Sequence, residues 1–156
     1  MKPLNRSVWM GATVLAAVLG LTAVAYAADE VNTDKTGLAI GGYDPVSYFS
    51  DTKPAKGDFQ ITAEHEGAVY RFVNKENRDK FLKEPAKYTP HYGGYCAYGI
   101  AKGKKFAADP TVWQIVDGRL MLNLDEKIAK TFNTDLQENV VKADKNWKKL
   151  KEEPAR

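Results

Sequence analysis

The segment "YRFVNKENRDKFLKEPAKY", residues 70–88, changes its hydrophobic period within a few residues. Tyr70 and Phe72 are two positions apart, which places their side chains on one face of a β-strand. From Asn74 onward the apolar residues follow helical spacing, and asparagine is a preferred helix N-cap. The segment therefore predicts a strand that leads directly into a helix, and the helix ends at Pro85.

That strand is the second arm of a predicted hairpin. In "FQITAEHEGAVYRFV", residues 59–73, two runs with strand alternation flank a His-Glu-Gly turn. The segment "TVWQIVDGRLMLNL", residues 111–124, has the same organisation around Asp117-Gly118, a strong two-residue turn signal. The sequence therefore predicts two antiparallel hairpins.

Helix signals surround the two hairpins. Asp44 followed by Pro45 predicts a short helix over residues 45–49. Apolar residues recur at three-to-four-residue steps, or multiples of them, from Ile128 to Leu150. Candidate N-caps at capping-box spacing precede these C-terminal helices at Asn123 and Thr134. The expected fold class is α+β, with a small antiparallel sheet from two hairpins packed with several short helices.

The chain divides into four predicted parts. Residues 1–27 have a positive start, an apolar run of small residues and an Ala-Tyr-Ala end, as a secretory signal peptide does. A retained membrane anchor is the alternative, but the apolar run is somewhat short for a span. A polar flexible leader is expected over residues 28–36, a single domain over residues 37–150 and a C-terminal tail over residues 151–156. The expected location is periplasmic or secreted, with no membrane span after cleavage.

The charge balance excludes one class of partner. The chain has 23 basic and 20 acidic residues, and signal cleavage would remove Lys2 and Arg6. The densest positive run, at positions 145, 148, 149 and 151, is typical of a solvated helix face. Nucleic-acid binding requires a clustered basic face, so we expect no nucleic-acid partner.

The segment "PHYGGYCAYG", residues 90–99, holds the only cysteine, Cys96, and one of two histidines, His91. Cys96 has no partner for a disulfide within the chain. It is a buried apolar residue, a metal ligand, a reactive thiol or half of an intermolecular bridge. A thiolate with an imidazole could bind copper or zinc, although a structural zinc site normally has four ligands. His65, between two glutamates, is a further candidate ligand or a solvated turn residue.

Tyrosines surround this cysteine. Tyr92, Tyr95 and Tyr98, with Tyr88, recur at steps of three and four, which predicts one helical stripe. Such a stripe forms part of a core or the aromatic wall of a ligand pocket. Glycines at positions 93 and 94 (Gly93 and Gly94) would let the backbone approach a ligand closely.

Four segments together resemble the YHS domain, a family related to the TRASH metal-binding modules. They are "YDPVSYF" (43–49), "YRFVNKENRDKFLKEPAKY" (70–88), "YGGYCAYGIAKGKKF" (92–106) and "DPTVWQIVDGRLMLN" (109–123). The last two resemble a longer, exported bacterial branch of that family. The likeness covers roughly residues 37–150 and implies a small α+β domain.

The departures from the family bear on its metal chemistry. The resemblance implies cysteine ligands at three positions, which here are Ser47, Val73 and Asn77. None of these side chains is a comparable ligand for a soft metal. A metal site would have to use Cys96, with His91 or His65.

The expected function is binding rather than catalysis. The sequence favours an exported accessory protein that binds a metal ion, copper first, or a small molecule near Cys96. The partner is a metal ion, a small molecule or another exported protein. Two alternatives stay open: a thiol-dependent redox protein or enzyme that uses Cys96, and an accessory protein whose cysteine is purely structural.

Overall fold

The computed structural model describes residues 30–50 and 53–155. The predicted signal peptide, residues 1–27, lies outside the described residues. Six α-helices and four strands follow one another within them, in the order α1 (Ser47–Ser50), β1 (Asp58–His65), β2 (Ala68–Phe72), α2 (Lys75–Lys83), α3 (Pro85–Tyr88), α4 (Ala97–Ala101), β3 (Asp109–Val116), β4 (Arg119–Asn123), α5 (Glu126–Thr134) and α6 (Leu136–Leu150). Two 3-10 turns, Ile40–Gly42 and His91–Gly94, complete the order. None of the helices in this part of the chain is long and apolar enough to cross a membrane.

Both predicted hairpins are present, and the α+β class is confirmed. β1 pairs antiparallel with β2, and β3 pairs antiparallel with β4. Each two-residue turn has positive φ at both positions, 50° and 74° at Glu66-Gly67 and 50° and 72° at Asp117-Gly118. Such turns match the right-handed twist of the strands they connect. The hairpins form two separate two-stranded sheets.

Strand β4 lies between two hydrophobic clusters. Leu120 and Leu122 pack with residues of the first hairpin and α2, whereas Met121 packs with α4, α5 and α6. Successive side chains of a strand point to opposite faces, so the alternation of β4 serves both clusters. This explains why "LML" has no polar position. Tyr88 belongs to the first cluster, Tyr92 and Tyr95 belong to the second, and the partly buried Tyr98 packs against the second. Cys96 is buried as well.

Three helix starts differ from the predictions. α1 begins at Ser47 rather than at Pro45, because Asp44 forms a turn to the amide of Val46 at 2.8 Å before the helix starts. The N-cap of α5 is Asp125, whose side chain accepts from the amide of Ile128. Asn123 is instead the last residue of β4, and Thr134 is the last residue of α5 rather than the cap of α6.

The polar stretch predicted as a flexible leader has its described residues, 30–36, in contact with the domain. The amide of Asn32 donates to the carbonyl of Gly93 at 2.8 Å, and its side chain donates to the carbonyl of Gly94 at 3.3 Å. Thr33 forms a bridge with Ala39. The segment before the domain therefore contributes to the surroundings of Gly93.

Candidate functional site

The tyrosines around Cys96 do not form the predicted helical stripe. Tyr88 ends α3, Tyr92 lies in a 3-10 turn, Tyr95 bridges Ala107 and Tyr98 lies in α4. The prediction is wrong because the chain turns at residues 92–94, where three successive φ angles are positive (55°, 61° and 77°). Steps of three and four align side chains only along a continuous helix.

Tyr92 and Gly93 adopt this left-handed conformation for reasons of packing. A Cβ on Gly93 would lie 1.8 Å from the carbonyl oxygen of Glu30, so only glycine fits beside the leader. Tyr92 is a non-glycine residue at φ 55°, a conformation that costs of the order of 1 to 3 kcal/mol. Its hydroxyl donates to Asp144 Oδ1 at 2.8 Å, which ties the turn to α6. Strain of this kind is concentrated at functional sites.

A polar cluster surrounds the imidazole of His91. Arg119 Nη1 donates to both carboxylate oxygens of Asp144, at 3.0 and 3.1 Å. The same Nη1 lies 3.1 Å from Nε2 of His91, and that Nε2 lies 3.4 Å from Asp144 Oδ1. Three parts of the fold, the 3-10 turn, β4 and α6, are thus joined through polar side chains.

The pKa shifts of His91, Asp144 and Tyr92 agree with a neutral imidazole on His91. Burial lowers the pKa of His91, and the charge of Arg119 lowers it further, which outweighs the opposite effect of Asp144. A neutral imidazole with a bare Nε2 can accept the Arg119 N–H. Burial works to raise the pKa of Asp144, but hydrogen bonds from Tyr92 and Arg119 outweigh it and leave that pKa lowered. Burial raises the pKa of Tyr92, which keeps its hydroxyl a donor.

A cleft of about 270 Å³ opens beside this cluster. Its walls include Tyr92, Gly93, Trp147 and the imidazole of His91, which is about one-third exposed (35 %). The rim has mixed charge, with Glu30 and Glu66 opposed by Lys151. We call this the His91 cleft. Of the predicted ligand-binding residues, Tyr92 and Gly93 line it, whereas Tyr95, Tyr98 and Gly94 are not among its walls.

Cys96 is packed in the interior. Its side chain is 2 % exposed, and its thiol donates to Asn123 Oδ1 at 3.6 Å. The same oxygen accepts the amide of Tyr98 at 3.2 Å, so Asn123 caps the first turn of α4 in place of the Cys96 side chain. The backbone of Cys96 is fixed by its amide, which donates to the carbonyl of Phe106. Cys96 is thus a buried residue at a helix start.

The three predicted metal ligands have separate surroundings. Cys96 contacts Asn123, His91 lies with Arg119 and Asp144, and His65 lies near Glu66 at the hairpin tip with its ring edge-on to Phe81. Across residues 30–50 and 53–155, no group of three or more His, Cys, Asp or Glu side chains could hold a metal ion. The structure therefore gives no support to a metal-binding role for these residues.

Ser47, Val73 and Asn77, the positions at which the YHS resemblance implies cysteines, lie around one buried carboxyl group. Asp44 Oδ2 accepts the amide of Val73 at 2.9 Å and the side-chain amide of Asn77 at 2.7 Å. The hydroxyl of Ser47 donates to the carbonyl of Asp44 at 2.6 Å. The local bond from the amide of Val46 to Asp44 is present, and the bonds from Val73 and Asn77 reach Asp44 from distant parts of the chain. Ser47, Val73 and Asn77 are therefore joined through hydrogen bonds to Asp44.

Sequence reasoning missed the residues that hold the site together. Arg119 and Asp144 are ordinary charged residues in a strand and in a lysine-rich helix, and no local pattern marks them. The sequence predicts that Asn123 caps α5, whereas its side chain caps α4. Asparagine therefore correctly indicated a helix cap at this position, but not which helix it caps.

A scan against protein-family models, a search of curated proteins and a search of solved structures each found no significant match for the chain. The resemblance to the YHS family stays a prediction.

Proposed function

We propose that the chain is an exported, YHS-like binding protein whose small polar ligand occupies the His91 cleft, with Cys96 as a buried structural residue. The observation that supports this most directly is the left-handed Tyr92-Gly93 turn. It places a partly exposed imidazole on the wall of a cleft, and a non-glycine residue at φ 55°, such as Tyr92, belongs to the class of strained residues that cluster at functional sites.

The dimensions and charge of the cleft indicate the ligand class. Its volume of about 270 Å³ is just below the range of about 300 to 1,000 Å³ typical of ligand pockets, so the ligand is small. The rim presents Glu30 and Glu66 together with Lys151. This mixture favours a ligand with both charge signs, such as an amino acid.

The cluster behind the cleft would hold the binding groups in place. Arg119 and Asp144 position the imidazole of His91 before any ligand arrives. Pre-organised groups lose little conformational freedom on binding, which increases affinity. Binding in the cleft requires only that these side chains are held in place. It does not require the thiol of Cys96 to react.

The test is NMR mapping on the purified protein, with the twenty amino acids added singly as probes. We expect saturable shifts at the amides of residues 89 and 91–93 and at the indole N–H of Trp147, for at least one amino acid. The variant His91→Gln should lose this response, and the matched variant His65→Gln, at the other histidine, should keep it. Shifts confined to other surfaces, or a response that is unchanged in His91→Gln, would refute the proposal.

A further inference from the structure

The His91 cleft contains carboxylates that no lysine or arginine balances. Glu30 and Glu66 line it, and within the described part of the chain neither forms an ion pair with a lysine or an arginine. Glu66 lies 3.7 Å from Nε2 of His65, but that imidazole is charged only when it is protonated. Lys151 also lines the cleft, and its Nζ lies 3.4 Å from a carboxylate oxygen of Glu152. Because that lysine is already paired, the cleft has a surplus of negative charge.

A hydroxyl group from a buried residue opens into the same cleft. Tyr70 lines the cleft, although it is only 1 % exposed. Among the described residues, none forms a hydrogen bond with the Tyr70 hydroxyl. The one fully enclosed side-chain polar atom without a partner in that part of the chain is Gln114 Nε2, so the Tyr70 hydroxyl is not sealed in the interior. A hydroxyl that has no protein partner at the wall of a cleft is available to a ligand.

Packing holds Tyr70 in position and keeps it protonated. Its ring centre lies 4.9 Å from that of Phe81, and β2 pairs the residue with Ala63 of β1. Burial raises the pKa of Tyr70, and the nearby charge of Glu66 raises it further. A protonated hydroxyl has an oxygen that accepts from an N–H group. The acceptor is therefore in place before a ligand binds.

A primary ammonium group is the donor that fits these acceptors. It carries a positive charge and three N–H donors. Hydrogen bonds to an ionised carboxylate are stronger than bonds between neutral groups, so Glu30 and Glu66 favour a charged donor. A ligand that had only a carboxylate would instead be repelled by both glutamates.

We propose that the His91 cleft selects its ligand through a primary ammonium group, which donates to the Tyr70 hydroxyl and to the carboxylates of Glu66 and Glu30. This inference rests on the proposed function, because it places the ligand in the same cleft. It narrows that function, since the ammonium group of an amino acid is required and its carboxylate is not. Small primary amines therefore belong to the ligand class together with amino acids.

The test titrates the purified protein with three probes of similar size by NMR, at about pH 8, where ordinary histidine side chains are neutral. Propylammonium has the charge and the N–H donors, tetramethylammonium has the charge without the donors, and propionate has the opposite charge. Phosphate is the buffer, because Tris is itself a primary amine. We expect saturable shifts at the amides of residues 66–70 and 91–93 with propylammonium. The other two probes should bind at least about tenfold more weakly.

A pair of tyrosine variants locates the ammonium group. Tyr70→Phe removes only the hydroxyl and should weaken propylammonium binding about tenfold. Its urea midpoint should stay nearly unchanged, because no hydrogen bond within the protein is lost. Tyr48→Phe is the matched control, since Tyr48 is also buried but its hydroxyl donates to the carbonyl of Pro110 at 2.8 Å. This control should lower the urea midpoint and leave the affinity within about twofold.

A pair of glutamate variants tests the charge. Glu66→Gln should weaken propylammonium binding about fivefold, because it removes one carboxylate from the cleft. Glu64→Gln makes the same change on the face of the hairpin opposite Tyr70 and should leave the affinity within about twofold.

The outcomes separate this inference from the proposed function. Equal affinity for propionate or tetramethylammonium, or an unchanged affinity in Tyr70→Phe, would overturn the ammonium selection. If amino acids shift the cleft residues but propylammonium does not, the proposed function stands and this inference fails. If propylammonium alone shifts them, this inference stands and amino acids leave the ligand class. If neither does, both fail.

Discussion

The substitution Asp44→Asn tests the account of the buried carboxyl group. Asp44 is fully buried and accepts three hydrogen bonds: Oδ1 from the amide of Val46, and Oδ2 from the amide of Val73 and the side chain of Asn77. Asparagine has a single acceptor oxygen. In its better orientation the oxygen keeps the two donors at the Oδ2 position, and its NH₂ group then faces the amide of Val46.

The magnitude follows from those contacts. One hydrogen bond is lost, and a buried donor without a partner costs about 1 to 3 kcal/mol. The two remaining bonds lose the assistance of the negative charge, so we expect a total loss of about 2 to 4 kcal/mol in unfolding free energy. With an m-value of about 2 kcal/mol per molar urea, the midpoint should fall by roughly 1 to 2 M.

Asp109→Asn is the matched control for this experiment. Asp109 also precedes a proline and accepts a local amide, that of Thr111 at 2.8 Å, but it is exposed. An asparagine there can still accept that bond, so we expect a change within about 0.5 kcal/mol. Urea unfolding monitored by circular dichroism measures both variants. Equal losses in the two variants, or a loss below about 1 kcal/mol in Asp44→Asn, would refute the reasoning.

Three further predictions concern the site. Stability should fall as the pH falls from about 7 to about 5, because the pKa of His91 is lower in the folded chain than the unfolded value of about 6.5, so the unfolded chain binds more protons. Urea midpoints measured across that range should show a shallower slope in His91→Gln, and an unchanged slope would contradict the assignment. Gly93→Ala should lower the free energy of unfolding, measured by urea unfolding, by more than the left-handed backbone conformation alone would. That conformation costs a non-glycine residue about 1 to 2 kcal/mol. Gly67→Ala supplies that reference, since its φ is also positive but no atom lies within 4 Å of its Cβ. Asn123→Ala should cost about 1 to 3 kcal/mol in urea unfolding through loss of the α4 cap, and a change below about 0.5 kcal/mol would exclude that role.

Local patterns predicted the parts of the fold that depend on neighbouring residues. The Asp117-Gly118 turn and the cap of α2 by Asn74, which accepts the amide of Asn77 at 2.8 Å, are short-range features. Their signals are complete within a few residues of sequence, so the hairpins and the helix that follows the first one were predictable.

The candidate site depended on contacts that sequence spacing does not record. His91 and Asp144 are far apart in the chain and meet only because α6 packs beside the 3-10 turn. Tyr92 adopts positive φ because of its bond to Asp144 and the close approach of Glu30 to its neighbour. Since those partners are distant in sequence, the tyrosine spacing indicated a helix that tertiary packing does not allow. The thiol of Cys96 likewise bonds to Asn123, which lies on another element.

Timed thiol labelling of the folded protein, with and without Cu(I), tests the central claim that Cys96 is structural and that the ligand binds elsewhere. Because the thiol is buried and bonded to Asn123, we predict that labelling in either condition proceeds only at the rate of unfolding. Denaturant should release the thiol to full reactivity. Rapid labelling of the folded protein that Cu(I) blocks would contradict the claim, because it would make Cys96 an accessible metal ligand.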